Sequence, residues 1–145
     1  MNRAEFEALR DLPDKKIEQN IGFSNRVDHS HIYVADNIAI NNSLGHEVKL
    51  TIQYNREVGT KTFNVTLRGV GPICRLCVDG PAHKPAGRSH KHSLQTDSCP
   101  RKKLPDDVDN KPEFSGQSLN LLFNKFCAMA KIEFAGEFER VDENE

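Results

Sequence analysis

Two stretches of strict alternation fix what this chain can fold into. Val48, Leu50, Ile52 and Tyr54 alternate with Lys49, Thr51 and Gln53. Phe63, Val65 and Leu67 alternate with Asn64, Thr66 and Arg68. Side chains on a strand point to opposite faces in turn, so each run has one apolar and one polar face. Residues 55–61 connect the two runs, with Gly59 near the tip. The pair therefore predicts an antiparallel hairpin with one buried and one wet face.

The buried face needs a cover. Gln117 to Lys131, capped by Ser115, predicts a helix with Leu119, Leu122, Phe123, Phe126, Cys127 and Ala130 in one apolar stripe. Cys127 reads as a core residue of that stripe. His29 to Ile40 predicts a strand region with a turn at Asp36-Asn37, and Gly69 to Pro72 a bulge or loop. Arg3 to Leu12 and Asp14 to Gln19 predict two short helices interrupted at Pro13. The sum is an α+β domain. An antiparallel sheet of about four to six strands carries a C-terminal helix on one face and short N-terminal helices. The 145 residues form a single domain, in which 1–22 are the N-terminal helical segment, 95–113 a mobile polar loop and 139–145 a frayed acidic tail.

Composition narrows the setting. No run of about 18 apolar residues would span a membrane, and the first residues, MNRAEFEALRD, lack the apolar core of a secretion signal. The expectation is a cytoplasmic protein with no membrane partner. In that compartment the four cysteines, Cys74, Cys77, Cys99 and Cys127, are reduced or metal-bound rather than paired. The sequence has no P-loop, no G-x-G-x-x-G, no H-E-x-x-H and no G-x-S-x-G.

The chemistry-bearing residues crowd into Ile73 to Ser93. This stretch holds three of the six histidines, His83, His90 and His92, close in sequence to Arg75, Cys77 and Asp79. Ile73 to Val78 reads as a strand, Asp79 to Ala86 as a turn, and Ser89 to Leu94 as a returning strand. His90 and His92 then project from one face and Lys91 from the other. Arg75 and Cys77 share a face of the first strand, with Cys74 and Leu76 on the opposite one; alternation alone leaves the register between the strands open. The net charge of −1 hides an asymmetry, because Lys84, Arg88, Lys91, Arg101, Lys102 and Lys103 face only Asp97 between residues 81 and 103. A basic stretch beside histidines suits a phosphate-bearing partner.

Arg75-Leu-Cys77, Gly80-Pro81-Ala82-His83 and Ser89-His90-Lys91-His92 together resemble the small TumE-like proteins, the toxin half of a bacterial toxin–antitoxin pair. That family carries an Arg-x-Asp strand end, a Pro-His-His turn and a His-His-Lys-His segment. A related group of uncharacterised bacterial and phage proteins combines Arg-x-Asp with a His, Pro and Gly turn and a closing His-x-His. His83-Lys84-Pro85-Ala86-Gly87 and His90-Lys91-His92 resemble that version. The resemblance covers residues 63–93 and the helix that follows. Cys77 stands at the family's Asp position and Ala82 at the first His of its turn.

Three readings follow. In the first, a toxin-like protein of a bacterial or phage conflict system handles RNA as an endoribonuclease. His83, His90 and His92 supply acid and base, Arg75 grips the phosphate, and Arg88, Lys91 and Lys84 hold the strand, without a cofactor. In the second, a non-catalytic phage or mobile-element protein binds a protein partner, such as an antitoxin or a host defence complex. In the third, zinc stabilises a binding module through ligands drawn from Cys74, Cys77, His83, His90, His92 and Cys99. His29 and His31 make a further His-x-His pair, read as polar strand positions or extra ligands.

Overall fold

A computed structural model describes residues 3–26, 28–80, 90–93, 108–110 and 112–141. Helix α1 (Arg3–Asp11) leads into strands β1 (Lys15–Ile17), β2 (Ser24–Arg26), β3 (His29–Ile40) and β4 (Val48–Asn55). Then come β5 (Thr60–Leu67), β6 (Gly71–Val78), β7 (His90–Ser93), β8 (Val108–Asn110), helix α2 (Leu119–Ala130) and β9 (Ile132–Phe134). Among the described residues, β2 to β8 form one seven-stranded sheet in sequence order. Every neighbouring pair in it is antiparallel. β1 and β9 make a separate parallel pair. This is the expected α+β class, with a wider sheet.

The alternating hairpin sets the core. Val48↔Leu67, Leu50↔Val65 and Ile52↔Phe63 are opposite one another and all buried. α2 lies on this face with Leu119, Leu122, Phe123 and Phe126 fully buried. The rings of Phe63 and Phe126 stack with centroids 5.4 Å apart. Phe123 meets Phe134 edge-on at 4.9 Å and stacks on Phe138 at 4.7 Å, which carries the core out to the C-terminal segment. Lys61, 7 % exposed on the core side of β5, donates from Nζ to the Gln117 carbonyl at 2.9 Å. That bond satisfies an ammonium that burial alone would penalise.

Several local expectations are corrected. The first N-terminal helix forms as α1 and buries Leu9. The second does not; Asp14 to Gln19 instead contributes β1, with Ile17 fully buried. So short a helix is marginal alone, and this backbone finds partners beside the chain's end. The Ala135 N–H donates to the Ile17 carbonyl at 2.9 Å, Ile21 to Glu137 at 2.8 Å, and Glu139 back to Ile21 at 2.9 Å. Gly136 permits the approach, since a Cβ there would lie 2.3 Å from the Gln19 carbonyl oxygen. Asp36-Asn37 is not a turn but a bulge within the continuous β3. Asn37 takes φ 55° and the register shifts between Ala35 and Ile38.

The cap of α2 is Ser118, whose side chain accepts the Leu121 N–H, and the helix starts at Leu119 rather than Gln117. Lys131 closes it in the left-handed conformation. Val108–Asn110 pairs with β7 and Pro112–Phe114 forms a 3-10 turn inside the segment read as an irregular loop. Residues 95–107 and 111 of that loop, and 142–145 of the acidic tail, lie outside the described residues. No helix among the described residues is long and apolar enough to cross a membrane.

Burial pushes the Cys127 thiol up to about 12, from an ordinary 9.0. The unfolded chain therefore releases this proton above pH 9 while the folded chain keeps it. Stability is intact below that pH and falls as pH rises through the interval towards 12. Between pH 8 and pH 10 the wild type should lose about 1.4 kcal/mol more than Cys127→Ala in urea unfolding. Equal losses in the two proteins would contradict the assignment.

Candidate functional site

The sheet face opposite α2 is polar because it collects the second half of each alternating strand. The β4–β5 register sets Thr51 opposite Asn64 and Gln53 opposite Thr62. The β5–β6 register continues both rows, with Asn64 opposite Arg75 and Thr62 opposite Cys77. The β6–β7 register adds His92 opposite Arg75 and His90 opposite Cys77. Directly opposed residues share a face. Two lateral rows result, Thr51–Asn64–Arg75–His92 and Gln53–Thr62–Cys77–His90. The open question of the sequence is thereby answered: positions 75, 77, 90 and 92 lie on one face. Lys91, opposite Leu76, and Cys74, opposite Val65, fall on the other.

At the centre of this face Arg75 is half-buried. Its Nε is buried, as is Oδ1 of the facing Asn64, and neither has a hydrogen-bond partner among the described residues. Buried polar atoms without partners are uncommon and costly. At the far end of the second row, Arg26 Nη2 donates to Gln53 Oε1 at 2.9 Å, which brings a second guanidinium to the face. These contributions from Asn64, Thr62, Gln53 and Arg26 escaped the sequence reading. For Asn64 and Gln53 the signal was present in the polar halves of the alternating runs, which read simply as wet; Thr62 and Arg26 lie outside those runs.

Cys77 is buried at 3 % exposure. Burial pushes its thiol up; the Arg75 charge and hydrogen bonds from the Thr62 hydroxyl and the Gly80 backbone pull it down, and Asp79 pushes it up again. The net shift is upward, so Cys77 is a neutral thiol at physiological pH rather than an anion.

Asp79, the other acid near the site, is engaged elsewhere. Its carboxylate accepts the Ser115 hydroxyl and, at 2.9 Å, the Gly116 N–H. Its carbonyl accepts the Thr60 hydroxyl at 3.0 Å. Asp79 sits at φ 56°, so the chain turns off the end of β6 while its side chain ties that end to the turn before α2. Ser115, expected as the helix cap, serves this clasp.

The zinc constellation divides. Cys74 and Cys77 lie on opposite faces of β6, so they do not converge on one ion. His83, Lys84, Arg88 and Cys99 lie outside the described residues. For His90, Lys91 and His92 the backbone pairing is described. Among the described residues no three His, Cys, Asp or Glu side chains gather as a metal site. His31 instead sits 3.4 Å from Glu57 at the other end of the sheet.

No family model, no curated protein and no solved structure matches the chain.

Gly80 holds the Cys77 corner together. A Cβ on Gly80 would lie 2.5 Å from Cys77 Sγ and 3.3 Å from Thr60 Cγ2. Gly80→Ala should therefore destabilise by about 1–3 kcal/mol through overpacking. Adding Cys77→Ala should recover most of that loss, as urea midpoints of the single and double variants will show. A double variant as weak as the sum of the two singles would contradict the contact.

Proposed function

We propose that this chain is a toxin-like, RNA-handling protein of a bacterial or phage conflict system. The phosphodiester lies on the polar sheet face at Arg75, flanked by His92 and His90. The observation that carries the reading is the shared register of Arg75 with His92 and of Cys77 with His90. RNA cleavage through the 2′-OH needs a base for that proton, an acid for the leaving oxygen and a cation for the phosphate. Histidine titrates near neutrality and fills either proton role. Arginine offers paired donors to two phosphate oxygens. His83, Lys84 and Arg88 stand in the connection between β6 and β7 and complete the proposed set. Lys91 drops out of it, because its position lies on the helix side of the sheet.

A second reading has its own support. Cys77 is a neutral thiol and the Asp79 carboxylate is occupied by Ser115 and Gly116. A site with no free carboxylate among the described residues to orient a histidine fits a protein that binds RNA, an antitoxin or a defence complex without turning anything over. Zinc is the weaker alternative, given the split of Cys74 from Cys77 across the strand.

Incubation of the purified chain with a labelled, unstructured RNA separates these readings. Cleavage should be seen with the wild type and with Lys91→Ala. It should fall by about 10²–10⁴-fold in His92→Ala, and Arg75→Ala should weaken binding as well as rate. Binding without cleavage favours the second reading. Neither binding nor cleavage removes RNA as the substrate.

A further inference from the structure

We propose that the depression beside Lys49 is a second phosphate subsite for the strand held at Arg75, an inference that rests on the RNA reading above. The depression has a volume of about 360 Å³ and is lined by Glu47, Lys49, Thr66, Leu67 and Arg68. Lys49 and Thr66 face each other one row along the strands from Thr51–Asn64–Arg75, on the same polar face. Two residues of strand rise and two strand spacings place Lys49 about 12 Å from Arg75. Phosphates of one extended strand can reach both.

The lining suits a phosphate. Lys49 is exposed and has no acidic partner among the described residues. The Thr66 hydroxyl beside it donates to the Lys49 carbonyl in a long contact of 3.5 Å, which an incoming phosphate oxygen can replace. Arg68 brings a second cation, with Nη1 donating to both oxygens of Glu47 at 3.0 and 3.1 Å. That contact leaves the guanidinium's other donors to a ligand, whereas the Glu47 carboxylate opposes an anion. Two cations against one carboxylate give the depression a net positive charge. Its place on the sheet gives the strand a direction, from the Arg75 row towards the Glu47–Arg68 end.

The opposed charges make the inference testable by sign. Fluorescence anisotropy with the full chain and an unstructured oligoribonucleotide reads affinity against salt. Lys49→Gln should bind about two- to fivefold more weakly. Its salt slope should be shallower by about 0.7, the value for one lost phosphate contact on a single strand. Glu47→Gln should bind more tightly, because it removes a repelling charge and frees Arg68; Lys49→Arg should behave as the wild type. All these positions are exposed, and unchanged urea midpoints will show that the fold is kept. Wild-type affinity and slope in both Lys49→Gln and Glu47→Gln would overturn the subsite and leave the Arg75 site standing. Failure of the wild type to bind RNA would overturn both.

Discussion

The packing of Phe63 and Leu76 beneath helix α2 is the constraint from which the rest follows. The two residues lie opposite each other on β5 and β6, and neither is exposed to solvent. Phe126 closes over Phe63 from the helix. Strand side chains repeat with a period of two, so a slip by one residue would turn every buried ring outwards and every polar group in. Burying one such side chain stabilises by about 1.5–3 kcal/mol, so a slipped register would forfeit several such contributions at once. Once Phe63 and Leu76 face the helix, Asn64, Arg75 and Cys77 must face away from it. The polar face is thus a consequence of how the core packs.

Charge is distributed over that face in a way that separates structural from ligand-directed groups. Asp79 fastens the end of β6 to the turn before α2 and sits outside the two polar rows. Cys77 occupies the second row as a buried, protonated thiol held by Thr62 and Gly80. Arg75 is left with unmet demand, since its Nε is buried, beside an equally buried Asn64 oxygen, and neither has a partner among the described residues. A guanidinium in that condition gains more from an incoming anion than one already paired in water. Under the proposed reading, the protonated thiol at position 77 and the arginine at position 75 pull in different directions. The first favours a binding role and the second favours a phosphate ligand in either role.

Most of the fold was legible in the residues, and the reasons it was or was not are local. The hairpin of β4 and β5 and the apolar stripe of α2 carry long, clean periodicities that few alternatives fit. Asp14 to Gln19 read as helix because its apolar residues are spaced like one; its partner strand begins at Ile132, more than a hundred residues later, and no local signal records that pairing. Asp36-Asn37 has turn chemistry but the apolar residues on either side pair with the same strand, so it becomes a bulge. Ser115 and Ser118 are equally good caps by residue type, and the choice was made by Asp79, far away in sequence. For the site, the alternation within Ile73–Val78 and Ser89–Leu94 was readable, whereas the offset between them was not. That offset is set by ladder bonds and by the burial of Leu76.

The claim on which the functional account stands is the pairing of β6 with β7, and nuclear magnetic resonance can read it directly. Cross-strand backbone contacts in a uniformly labelled sample should join Arg75 with His92 and Cys77 with His90. Contacts that instead join Arg75 with Lys91 or with Ser93 would put the histidines on the helix side of the sheet and contradict the account.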